Sequence, residues 1–174
     1  MKLDRFDIVI ITAAAALLTA SVSLAVSGGV TGVRDNMQLA RVQAIPPSAA
    51  TLQKLETSKL QLESGQVREC IDGLKPLENQ CPTLGDVHAL LGQAYARVLD
   101  YPSAVREYRM ALLIDPDYVD NKSYKFIGKR IKAAVRDCLP DFRNQVKANP
   151  DNKKAAAALK DALYLERMIA GGCE

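Results

Sequence analysis

A chain of 174 residues, 48% apolar and 25% charged, is long enough for one compact domain plus an appendage. Its formal net charge of +3 is too small to argue for a nucleic-acid partner, and its four cysteines lack the C-x-x-C and C-x-x-C-H spacings of metal, thioredoxin-like and haem-attachment motifs. Tryptophan is absent, aromatic residues make up 5%, and alanine and leucine are abundant, a composition suited to packed helices.

The first predicted element is apolar. From Ile8 to Val33 no charged residue occurs, and a helix of about 20 such residues crosses a bilayer core. Two readings compete for residues 1–33: a retained signal anchor forming a transmembrane helix, or a signal peptide cleaved near Ala25, where Ser23-Leu24-Ala25 has an A-x-A-like pattern. Asp4 and Asp7 weaken the basic n-region and the apolar run continues to Val33, which favours the anchor. Lys2 and Arg5 before the span nearly balance Arg34 and Arg41 after it. A tail this short is easily left in the cytoplasm. The expectation is a single-pass membrane protein with its main domain outside, which for a bacterial source means the inner membrane and the periplasm.

Residues 34–50 read as a connector. Met37, Leu39, Val42 and Ile45 are spaced for a brief amphipathic helix, which Pro46-Pro47 stops.

Residues 51–174 carry an internal period. Pro82, Pro116 and Pro150 stand 34 residues apart, each after a run of helix formers. Eight positions before each proline come Leu74, Tyr108 and Phe142, all large. Twelve before come Cys70, Ala104 and Cys138, all small. Fifteen before come Val67, Tyr101 and Val135, bulky again. A fixed sequence period of this length marks a helix–turn–helix repeat rather than an ordinary bundle. After the last proline, Ala155, Ala156, Leu159, Ala162, Leu163, Glu166 and Ala170 keep helical spacing up to Gly171-Gly172, as a helix closing the open end of an array should.

With these residues the chain resembles the tetratricopeptide repeat family in its membrane-anchored bacterial form. The middle copy, Gly85–Tyr118, has Leu91, Gly92, Tyr95, Ala104, Tyr108, Ala111 and Pro116 at that family's spacings. The first copy, Thr51–Leu84, matches through Gly65, Cys70, Leu74, Leu77 and Pro82, but has Ser58 and Gln61 in place of the glycine and tyrosine. The third copy, Val119–Asn152, keeps Cys138, Phe142 and Pro150, with Phe126 and Lys129 at those two places. Pro140 there predicts a lengthened first helix and a second helix starting near Leu139. The resemblance implies an all-α fold, a short α-solenoid of about three helix pairs plus a C-terminal capping helix, set behind the N-terminal transmembrane helix.

The resemblance also implies a groove built from first helices. By the family's register, Leu55, Lys59 and Leu62, then Gln93, Ala96 and Arg97, then Ile127, Arg130 and Ile131 face it. Leu55 and Lys59 fall where relatives that clamp a C-terminal carboxylate have Lys and Asn, so this chain departs from that pattern.

Other residues admit two readings. Lys122, Lys125, Lys129, Lys132 and Arg136 follow at three- and four-residue steps, which predicts one basic helix face. That stripe is either plainly solvated or a dock for acidic peptides or anionic lipid headgroups. Asp115, Asp117 and Asp120 around Pro116 are expected to serve turns and caps. Cys70 and Cys138, two repeats apart, are too distant to pair. Cys138–Cys173 is the candidate disulfide, with Cys70–Cys81 as its companion. His88 is the single histidine, and with no second one and no carboxylate cluster near it in sequence it reads as a packing residue, with no metal site.

No nucleophile with its activator, paired acid and base, or phosphate loop is present, so the expectation is a non-enzyme without a cofactor or small-molecule substrate. The leading reading is a membrane-tethered protein–protein interaction scaffold or assembly subunit of a membrane-associated complex. The alternative is a periplasmic holdase-like chaperone for exported proteins. Either way the partners are proteins, with the membrane engaged through the N-terminal helix.

Overall fold

Ser48 starts the first helix by accepting a hydrogen bond from the Thr51 N–H at 3.1 Å, satisfying one of the donors that a helix start leaves open. From there the computed structural model, which describes residues 47–171, runs through α1 (Ala49–Glu63), α2 (Val67–Gln80), α3 (Gly85–Arg97), α4 (Tyr101–Ile114), a 3-10 turn (Pro116–Val119), α5 (Gly128–Ala148) and α6 (Lys153–Gly171). No strand occurs among the described residues, and the fold they form is all-α. None of their helices is long and apolar enough to cross a membrane. The predicted span 8–33, nearly all of the connector, and Cys173 lie outside the described residues.

The period seen in sequence is built into the turns. Between α1 and α2, Gly65 takes φ +86°, the Gln66 N–H donates to the Gln61 carbonyl at 2.8 Å and the Gly65 N–H to Leu62 at 3.3 Å. Thirty-four positions on, Leu99 takes φ +62°, with Asp100 N–H to Tyr95 at 3.0 Å and Leu99 N–H to Ala96 at 3.2 Å. Both are Schellman closures, which need a left-handed residue after the helix. Asp100 then caps α4 through the Ser103 N–H, and Pro102 sits in the first turn, where its missing N–H costs nothing.

Helices α2, α4 and α5 end at Gln80, Ile114 and Ala148. The next residues, Cys81, Asp115 and Asn149, each close the last turn onto the carbonyl four positions back, at 2.7, 2.8 and 2.9 Å. Each precedes one of the periodic prolines, whose ring disfavours a further helical residue before it. The small column packs against its neighbours: Cys70, Ala104 and Cys138 are buried, as are Leu74, Tyr108 and Phe142. Gly92 lies so close to the Tyr108 ring that a Cβ there would stand 2.7 Å from a ring carbon. Helices pack as α1–α2, α3–α4 and α5–α6, with α2 joined to α3 and α6 also lying on α4, where Arg109 pairs with Asp161 at 3.0 Å.

The third copy departs from the expectation of a helix pair. Residues 119–152 hold a single α-helix, α5, and the helix expected to cap the array pairs with it instead, so the described pairs are three without a further cap. Two causes are visible. The residue corresponding to Gly65 and Leu99 is Ala133, a strong helix former, and the chain runs straight through where a turn was due. Upstream, side-chain oxygens capture backbone donors: the Lys122 N–H bonds Asp120 at 2.9 Å and the Lys125 N–H bonds Ser123 at 3.1 Å, which holds 120–127 as a loop. Nor does a helix restart near Leu139. Pro140 sits inside α5 on its exposed face, as Pro76 does in α2, where water can satisfy the carbonyl each proline leaves without a donor.

Candidate partner-binding groove

A cavity of about 380 Å³ opens between α1, α3 and the segment leading into α5. Helix α1 contributes Leu55, Glu56, Lys59, Leu62 and Glu63; α3 contributes Asp86, Ala89, Leu90, Gln93 and Arg97; Ile127 and Arg130 close the third side. Seven of the nine residues assigned to a groove by register therefore line this one cavity. Ala96 lines a neighbouring hollow with Tyr101 and Asp137.

The ninth residue, Ile131, is a correction. It is fully buried and packs in the core with Ala104, Tyr108 and Ala134, because α5 starts only at Gly128 and turns this position inward. Leu62 and Gln93 are also buried and form floor rather than rim. Gln93 is held at both ends, its Nε2 donating to the Ala89 carbonyl at 3.2 Å and its Oε1 accepting from the Arg130 guanidinium. Arg97 donates to the Leu62 carbonyl near the C-terminal end of α1, a favourable place for a cation. The two arginines thus brace the walls and keep part of their donor forks for the cavity.

The loop 120–127 forms the lip. Its base is tied by the Ile127 N–H donating to the Tyr118 carbonyl at 2.9 Å, and the Tyr118 hydroxyl donates to Asp86. Tyr124 is 93% exposed, and the Lys125 ammonium lies 5.9 Å from its ring centre and 5.8 Å from that of Tyr118. Sequence spacing did not single out Tyr124, since it belongs to no column of the period.

The five-residue basic stripe does not share one helix face. Lys122 and Lys125 belong to the loop, and Lys125 is ion-paired with Asp115 at 2.7 Å, which raises its pKa. Lys129, Lys132 and Arg136 remain exposed on α5. Of the candidate disulfides, Cys138–Cys173 involves a residue outside those described. Cys70–Cys81 is excluded: both are free thiols, and eleven helical steps separate them by roughly 16 Å, against about 4.4–6.8 Å for a bridged pair. Burial pushes the Cys138 thiol up to about 11.

His88 is buried as expected, but not among apolar groups alone. Its Nε2–H donates to the Pro82 carbonyl at 3.0 Å, and its Nδ1 lies 2.7 Å from Glu107 Oε2. Glu107 is itself 1% exposed, and its other oxygen accepts from the Arg106 guanidinium at 2.6 and 2.9 Å. Burial alone depresses the imidazole, yet the hydrogen bonds to Glu107 and the Pro82 carbonyl carry its pKa above the usual value. Burial likewise raises the Glu107 carboxyl, and the His88 and Arg106 hydrogen bonds outweigh it, so its pKa is lowered. Glu78 completes a trio whose ligand-type atoms all lie within 4.8 Å of one another. The three come from α2, α3 and α4, ten and nineteen positions apart, a spacing that matches no local motif.

The described residues define an all-helical domain of paired helices with a mixed polar and apolar groove and a buried ionisable trio. No known protein family matches the chain, and neither does any curated protein or solved structure.

Proposed function

We propose that this chain is a tetratricopeptide-type interaction scaffold, tethered to a membrane by residues 8–33, whose groove receives a segment of a protein partner in a membrane-associated complex. The observation carrying this reading is the convergence of Leu55, Lys59, Arg97, Ile127 and Arg130 on one cavity. Apolar walls take side chains, while Lys59, Arg97 and Arg130 offer donors to carboxylates or backbone carbonyls. The exposed Tyr124 ring supplies the large, rigid contact surface typical of interface anchors. The two Schellman turns 34 residues apart support the repeat assignment.

The test is affinity purification of the full-length protein from mild-detergent membranes, followed by mass spectrometry, for the wild type and a Lys59→Glu, Tyr124→Ala double variant. Both side chains are exposed and neither makes a hydrogen bond among the described residues, so the fold is expected to survive. A fixed-ratio partner lost by the variant supports the proposal. A broad, substoichiometric set of exported proteins points to a holdase, and a partner retained by the variant removes the groove from the reading.

A further inference from the structure

We propose that Glu78, His88 and Glu107 form a binding site for a divalent transition-metal cation of the zinc type. The three donors are one imidazole nitrogen and two carboxylate oxygens, the ligand set such cations take. Each ligand stands on a different helix, and His88 and Glu107 are 3% and 1% exposed.

The histidine is already oriented. With its Nε2–H committed to the Pro82 carbonyl, the ring is held with Nδ1 facing Glu107, so loss of the proton between them would leave Nδ1 oriented as a ligand by an outer hydrogen bond. Nδ1 and Oε2 at 2.7 Å cannot both present bare lone pairs, so a positive centre belongs between them. In the metal-free protein that centre is a proton, and it leaves to solvent when the cation enters. Arg106 occupies Oε1 of Glu107 and leaves Oε2 for the metal.

Glu78 is the donor of the three not already committed. Half-buried, it makes no hydrogen bond or ion pair with the described residues, yet its carboxylate lies within 4.8 Å of the His88 and Glu107 ligand atoms, where a divalent cation would join all three. Zinc bonds of about 2.0–2.2 Å place ligand atoms roughly 3.4 Å apart in a tetrahedron. Reaching this requires the 2.7 Å contact to open and the less confined Glu78 to swing inward. Calcium and magnesium fit poorly, since they favour six or more oxygen ligands or near-ideal octahedral oxygen sites. A loaded site would clamp α2 onto α3 and α4 across the boundary between two helix pairs.

The experiment is titration of chelator-stripped, reduced full-length protein in mild detergent with Co²⁺ alone as the spectroscopic probe, followed by displacement with Zn²⁺. The expected result is one equivalent bound with visible d–d bands and no near-ultraviolet thiolate band. Glu78→Gln should bind at least tenfold more weakly while its metal-free melt is no lower than that of the wild type, and Zn²⁺ should raise the melting temperature of the wild type by more than that of the variant. No stoichiometric uptake by the wild type, equal affinity in the Glu78→Gln variant, or a thiolate–cobalt band assigning the metal to cysteine would each overturn the proposal.

Discussion

Exchanging the residues at the two left-handed positions tests whether the 34-residue period is a property of backbone geometry. Leu99 adopts φ +62°, where an L side chain costs about 1–2 kcal/mol relative to the right-handed regions. Replacing it with glycine removes that strain and costs about 0.5–1 kcal/mol in added freedom of the unfolded chain. Leu99 is 69% exposed, so little apolar burial is forfeited. Leu99→Gly is therefore expected to stabilise the fold by about 0.5–1 kcal/mol, or about 2–6 °C in melting temperature for a unit of this size. Gly65→Ala makes the opposite change at φ +86°, where a Cβ would meet nothing within 4 Å, so backbone strain alone should destabilise by a similar amount. Thermal and urea unfolding followed by far-ultraviolet circular dichroism reads both. A Leu99→Gly variant less stable than wild type, or a neutral Gly65→Ala, would refute the argument from turn geometry.

Gly92→Ala should destabilise by about 1 kcal/mol even though alanine is the better helix former, because overpacking against Tyr108 costs about 1–3 kcal/mol and propensity returns only about 1. The same substitution in a Tyr108→Leu background should cost measurably less, a coupling that a double-mutant cycle reports. In chelator-containing buffer, the His88–Glu107 contact should contribute most between about pH 4.5 and 6.5. The raised His88 pKa gives stability that is complete below about 6.5 and is lost as pH climbs through the folded value. The lowered Glu107 pKa gives stability that is complete above about 4.5 and is lost as pH falls through its folded value. Urea midpoints across pH, compared between the wild type and His88→Asn, check both limbs. With its pKa near 11, Cys138 in the reduced native protein should resist alkylation at pH 8 and react only on unfolding, as peptide mass mapping would show.

What was legible in the sequence was whatever repeats. The prolines at 82, 116 and 150 locate three helix ends, and the buried columns through Cys70 and Leu74 follow directly, because packing and termination depend on residues a few positions apart. The third copy escaped this reasoning. Ala133 removed a turn without any marker of its own, and the polar side chains of Asp120 and Ser123 unwound a segment whose lysine spacing looked helical. Ile131 was misplaced as a result. The trio around His88 was illegible for a different reason: its members meet only through the packing of three helices, and no periodic signal links Glu78 or Glu107 to the histidine.

The missing turn in α5 has a mechanical consequence. Twenty-one residues in one helix make a strut of about 31 Å, from Gly128 beside the lip of the groove to Ala148 at the far end. The first two pairs reverse the chain at Gly65 and Leu99, but this strut has no turn at the equivalent place. If the proposed partner segment binds at Arg130, one continuous helix joins that contact to Phe142 and to α6 packed beside it.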